Sequence, residues 1–124
     1  MITIMPADRA ADKAELAALG IPAGTDAMLL RSGGAVEGWA AFVVQGDTVE
    51  LLQVRCAEPL LAEGLIRAVL NTGDCRGAVT GLCRDAAAAG VPEGMLKRLE
   101  FARGDQGWQV SLEAFFRAGC PSAE

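Results

Sequence analysis

Between Thr48 and Cys83 the chain changes its hydrophobic period from strand to helix and back, and this segment constrains the fold more than any other. Val49-Glu-Leu-Leu-Gln-Val54 puts apolar side chains on both faces, as a central strand covered on both sides requires. After it, Glu58-Pro59 opens a helix: Pro suits the first turn, and Glu58 and Glu63 suit the positive end of the helix dipole. Leu61, Leu65, Ile66, Val69 and Leu70 form an apolar stripe, with Glu63 and Arg67 as an i, i+4 pair on the polar side. The pattern predicts a helix ending near Asn71-Thr-Gly73, then a strand over Ala78–Cys83. A helix of this length can set the second strand parallel to Thr48–Arg55, giving one right-handed βαβ unit.

The flanking sequence supplies the other elements. Ile2–Met5 reads as a strand, and Asp8 stands as N-cap of a helix that Gly20 stops. Ala27–Arg31, Val36–Val44 and Thr48–Arg55 read as an antiparallel meander. Its turns are Ser32-Gly33-Gly34 and Gln45-Gly46-Asp47, and Gly38-Trp39 leaves room for close backbone approach or a bulge. Beyond Cys83, Ala86–Ala89 begins a helix that Gly90-Val-Pro92 interrupts, and Met95, Leu96, Leu99 and Phe101 give a further apolar face. Gly104–Gly107 is a turn, Trp108–Val110 a strand, and Leu112–Cys120 a short closing helix or an extension carrying Phe115 and Phe116. Neither a repeat nor a break in composition appears, so the 124 residues read as one α/β (α+β) domain spanning 1–124.

Composition narrows the function. With 52% hydrophobic and 22% charged residues, the chain matches a packed globular protein. A net charge of −5 opposes binding to nucleic acid or to an anionic membrane surface, both of which call for a clustered basic patch. No apolar run is long enough to span a bilayer and no signal peptide is visible, so the expected location is cytoplasmic. The four cysteines form no CxxC pair and read as reduced core thiols, with no metal site expected. Histidine and tyrosine are absent, which excludes Ser-His-Asp and Cys-His chemistry and a tyrosine acid.

The order strand, helix, three-strand meander, helix, strand, helix, strand resembles the GCN5-related N-acetyltransferase (GNAT) layout. Four local features carry the likeness: Leu52-Gln-Val54 leading into the helix with Leu65-Ile66; Arg76-Gly77-Ala-Val before the next strand; Leu96-Lys-Arg-Leu-Glu-Phe101, similar to the family's LxxLGF ending; and Leu112-Glu-Ala-Phe-Phe116, similar to a group of short GNAT-like bacterial proteins. The resemblance covers roughly residues 26 to 116. It implies a mixed, mostly antiparallel sheet flanked by helices, with acetyl-CoA as cosubstrate and a small-molecule or peptide amine as acceptor. It also implies cofactor contacts from Gln53, Val54, Arg55 and Ala57, and a glutamate base at Glu50.

Several residues depart from that pattern. The family's pyrophosphate loop, R/Q-x-x-G-x-G/A, offers consecutive backbone N–H groups at a helix N-terminus. Here Arg55-Cys-Ala-Glu-Pro-Leu-Leu-Ala-Glu-Gly64 has its one glycine inside the helix, a proline without an N–H, and carboxylates at 58 and 63. Arg55 reads either as a compensating phosphate ligand or as a solvated strand end. Glu50 reads either as the base or as a carboxylate that faces solvent at a strand margin or pairs with an arginine such as Arg31. Cys83 and Cys120 are the remaining thiol acids, with burial the competing reading. One helix, where the family usually has two, leaves an acceptor site open or completed by a partner subunit. Trp39 reads as core or as a ligand platform, and Trp108, Phe115 and Phe116 as core closure or a dimer patch. Two functions follow: an acetyltransferase, or an inactive GNAT-fold binding module, homodimeric in that reading. A small α+β protein of another fold with the same element order is the third alternative.

Overall fold

The computed structural model describes residues 1–119, and side chains through residue 116. Seven strands form one sheet in the order β1-β2-β3-β4-β5-β7-β6. They are β1 (Ile2–Pro6), β2 (Asp26–Ser32), β3 (Ala35–Gln45), β4 (Thr48–Cys56), β5 (Thr80–Cys83), β6 (Ala102–Gly104) and β7 (Gly107–Ser111). Every pairing is antiparallel except β4 with β5. The helices are α1 (Lys13–Ala18), α2 (Pro59–Cys75), α3 (Ala86–Ala89), α4 (Glu93–Arg98) and α5 (Leu112–Gly119).

The two sheet faces carry separate cores. The larger packs Met28, Leu30, Phe42, Val49, Leu51 and Val54 against Leu65, Ile66, Val69 and Leu70 of α2 and against residues of α3, α4 and β7. The smaller sets Ala27, Leu29, Trp39 and Ala41 against Ile21, Leu16 and Leu19 around α1. A bulge in β4 reconciles them. Ala41 pairs with Gln53 and Phe42 with Leu51, so Leu52 is an extra residue. Strict alternation would turn Val54 away from α2, whereas the inserted residue restores it to the larger core. Gly38 meets the same strand closely: a Cβ there would lie 3.1 Å from Cys56 Sγ and 3.2 Å from the Arg55 carbonyl oxygen.

Several features differ from the sequence expectations, and one is an added strand, β6, paired with β7 across the Gly104–Gly107 turn. Asp8 caps a turn rather than α1: its Oδ1 accepts from the N–H groups of Ala10 and Ala11 at 2.9 and 3.0 Å, and the helix starts only at Lys13. Helix α2 continues to Cys75, because Gly73 packs on β4 instead of ending the helix. Glu63 does not pair with Arg67. Arg98 Nε donates to Glu63 Oε2 at 2.9 Å, while Arg67 lies 5.4 Å over the Phe115 ring.

The segment Leu96–Phe101 closes α4 as the family-like motif suggested, with one irregularity. Phe101 N–H reaches the Leu96 carbonyl at 2.9 Å and Glu100 N–H the Lys97 carbonyl at 3.0 Å, the two bonds of a Schellman ending. Glu100 holds the left-handed position at φ 71°, where glycine would be free of strain.

The two glycines inside α2 predict opposite outcomes. At Gly73 a Cβ would stand 2.5 Å from Val49 Cβ, close to the strand backbone, whereas at Gly64 it would meet only the tip of Ile4 at 3.2 Å. Gly73→Ala should lose about 1–3 kcal/mol through overpacking. Gly64→Ala should gain up to about 1 kcal/mol of helix propensity. Urea denaturation of both variants reads the difference, and equal effects would refute this packing.

Candidate active site

The parallel pair β4–β5 spans only Thr48–Glu50 against Thr80–Leu82. Beyond Glu50, β4 keeps its ladder with β3 through Cys56, but among the described residues no strand pairs with its other side. Strand β5 ends at Cys83, and the chain leaves the sheet as α3, capped where Asp85 Oδ1 accepts from Ala88 N–H at 3.1 Å. Helix α3 ends at Gly90, in the left-handed region at φ 79°. A Cβ on Gly90 would lie 2.5 Å from Arg55 Nη1 and 3.0 Å from the Val54 carbonyl oxygen. The result is a fork: closed at Glu50, without a second strand partner along residues 51 to 56, and bounded at Val54 and Arg55 by Gly90.

At the open end stands the N-terminus of the 17-residue α2. Glu58 is its N-cap residue and makes no side-chain capping bond; Pro59 has no N–H, and the first intrahelical bond is Ala62 N–H to the Glu58 carbonyl at 2.9 Å. Among the described residues, nothing accepts from the Leu60 and Leu61 N–H groups. These free donors, at the positive end of a long helix, are the chemistry that holds a phosphate. Of the two nearby carboxylates, Glu63 is engaged by Arg98, which leaves Glu58 exposed at the mouth.

The residues expected to form the site are spread along β4. Arg55 and Ala57 line a cavity of about 280 Å³ with Trp39, Cys56, Leu19 and Glu37. The Arg55 side chain curls back, so that Nη1 donates to the Val54 carbonyl at 3.2 Å across the open edge of the fork. Val54 itself is buried in the larger core, and Gln53, half-buried, faces the α1 side opposite Ala41. Glu50 lines a different, smaller cavity of about 140 Å³. Its partner is Arg84 rather than Arg31: Arg84 Nε donates to Glu50 Oε2 at 3.0 Å, whereas Arg31 is committed to Glu15 at 2.7 Å and Asp12 at 3.4 Å. Sequence reading missed Arg84, Gly90 and Gln106. Only the register of β5 on β4 brings the first beside Glu50, and no local pattern announces that register.

Aromatic and thiol candidates resolve toward packing. Trp39, Trp108 and Phe115 are buried, and Phe116 meets Phe115 edge-on at 4.9 Å between centroids. Cys83 is fully buried, while Cys75 is exposed at the end of α2 and so is not a core thiol; Cys120 lies outside the described residues. Burial pushes the Cys83 thiol up to about 11, and the nearby carboxylates of Asp85 and Glu50 add to the shift. A thiol sealed in the core has no route to a substrate.

A mixed seven-stranded sheet whose one parallel pair parts into a fork beside a helix N-terminus is GNAT-like, and the solved structures agree. A putative N-acetyltransferase, YhhK, from Escherichia coli bound to coenzyme A superposes with a TM-score of 0.64, covering 90% of this chain and 98% of that one at 16% identity. Mutant forms of the spermidine/spermine N-acetyltransferase SpeG from Vibrio cholerae give 0.67, covering 95% and 98% at 9% identity. A putative acetyltransferase, yncA, from Salmonella typhimurium with its cofactor acetyl-CoA gives 0.60, covering 90% and 94% at 17% identity. No sequence-family profile and no curated protein matches the chain. The fold is therefore that of the GNAT acetyltransferases.

Because the Cys83 value lies above the usual thiol range, its contribution to stability is complete below about pH 9 and fades as pH rises through about 11. No tyrosine titrates in that window to obscure it. Cys83→Ala should have a lower baseline stability but a flatter decline between pH 9 and 11. Equal slopes in chemical denaturation would contradict the assignment.

Proposed function

We propose that this chain, acting as one domain over residues 1–124, binds acetyl-CoA along the open edge of β4 and transfers its acetyl group to a small-molecule or peptide amine. The observation that carries the reading is the fork: β4 loses its β5 partner after Glu50, directly before the free N–H groups of α2. In this reading the backbone of Gln53, Val54 and Arg55 lines the pantetheine arm, and Ala57 with the Leu60 and Leu61 N–H groups receives the diphosphate. The Arg55 guanidinium leaves the Val54 carbonyl and follows the phosphate charge. The coenzyme-bound structures from E. coli and S. typhimurium support the choice of cosubstrate, and the spermidine/spermine enzyme supports an amine acceptor.

In the transfer, the amine nitrogen attacks the thioester carbonyl carbon. The new C–N bond forms as the C–S bond breaks, and coenzyme A leaves as a thiolate that takes a proton from solvent. Glu50, at the closed end of the fork, receives the proton that the amine gives up. A chain of net charge −5 has no use for nucleic acid or an anionic membrane as partner, and we place its work in the cytoplasm.

A second reading has its own observation. Arg84 already occupies one oxygen of Glu50, and neither histidine nor tyrosine is present to serve as acid. That arrangement supports a GNAT-fold binding module without turnover, working as a homodimer.

Calorimetry and thermal unfolding with acetyl-CoA and coenzyme A separate the readings from failure of both. Coenzyme at about 100 times its dissociation constant should stabilise the fold by roughly 2.7 kcal/mol. Thiol release with an amine panel then divides the two. Turnover that falls about 10²- to 10⁴-fold in Glu50→Gln supports the enzyme. Coenzyme binding without turnover supports the module. No stabilisation at millimolar coenzyme sinks both.

A further inference from the structure

Glu50 and Arg84 hold each other by a single end-on contact, although a guanidinium and a carboxylate can form two. Among the described residues, Glu50 Oε1 accepts nothing and both Arg84 Nη groups donate to nothing. The pair lines the 140 Å³ notch at the closed end of the fork together with Gln45, Thr48 and Gln106. Among the described residues, the side-chain amides of Gln45 and Gln106 also make no hydrogen bond. Arg84 is held in position from behind. Gly107, at φ 127°, brings the β6–β7 turn so close that a Cβ there would stand 2.6 Å from Arg84 Cα and 2.7 Å from the Cys83 carbonyl oxygen. The same contact carries Gln106 to the notch.

We propose that this notch binds the ammonium and carboxylate of a free α-amino acid. The ammonium takes the open oxygen of Glu50, the carboxylate takes the Arg84 Nη groups, and the glutamine amides complete the carboxylate's contacts. Charge decides the class of ligand. A simple amine would bring a second cation beside Arg84, and a simple carboxylic acid a second anion beside Glu50. Only a zwitterion with the two charges a few bonds apart adds two ion pairs to the existing one without an unpaired charge in the notch. The volume equals that of about five liquid waters, which suits a small amino acid. Under the acetyl-transfer reading, on which its role as acceptor rests, the bound amino group lies against Glu50 at the closed end of the fork. Binding itself requires no coenzyme.

The test uses the full chain, ¹⁵N-labelled and free of coenzyme, titrated separately with alanine, ethylamine and propionate. Alanine should shift the Arg84 Nε–H and the Gln45 and Gln106 amide signals saturably. Ethylamine and propionate should bind roughly tenfold more weakly or worse. Arg84→Gln, at a side chain 55% exposed and therefore tolerant of change, should abolish the preference for alanine over ethylamine. Ethylamine binding as well as alanine, or alanine leaving all three signals unmoved, overturns the proposal. Adding acetyl-CoA keeps the two ideas apart. Alanine bound but never acetylated defeats the transfer reading and leaves the notch standing. Acetylation of ethylamine as fast as alanine defeats the notch and leaves transfer standing.

Discussion

The rest of the site depends on where β4 and β5 stop being neighbours, and side-chain volume sets that point. At the closed end, Gly73 of α2 lies on Val49, and Gly81 of β5 lies under Leu70, where a Cβ would come within 2.7 Å of Leu70 Cδ2. These two absent side chains let the helix press the start of both strands together. Four residues into β5 the chain turns out of the sheet, and Gly90 brings the end of α3 against Val54 and Arg55. The pair is thus clamped at one end and held apart at the other. Leu65, Ile66 and Val69 bury against β4 as part of the same arrangement, so the opening is continuous with the largest core.

Element order was legible in the sequence because periodicity and turn chemistry are local. The βαβ unit, the meander and the Gly33-Gly34 hairpin, with both glycines at positive φ, appear where the pattern put them. Boundaries drifted where a residue's local preference was overridden by distant contacts. Gly73 signals a helix end in isolation, yet Val49 needs the space it leaves. Asp8 signals a helix start, yet its carboxylate is spent on a preceding turn. The Leu52 bulge left no trace in the pattern, since apolar residues on both faces of β4 hide a change of parity.

The candidate site was less legible, because its chemistry depends on pairings between distant segments. Glu50 was identifiable as a carboxylate on a central strand, but its partner is fixed by the register Glu50–Leu82, which sets Arg84 two residues further along the chain. Arginines elsewhere follow the same rule. Asp26 gathers Arg9 and Arg76 from either end of the fold, and Arg98 reaches from α4 to Glu63 on α2. While many cations are committed to internal carboxylates, the Arg55 guanidinium bonds only a backbone carbonyl, which leaves it available for the phosphate we propose at the fork.

Hydrogen–deuterium exchange with and without coenzyme A tests this account most directly, because it reports where the backbone is covered. The account predicts slowed exchange confined to residues 52–62, the open half of β4 and the first turn of α2. Protection that fell instead on α1 or the β6–β7 hairpin, with residues 52–62 unchanged, would contradict it.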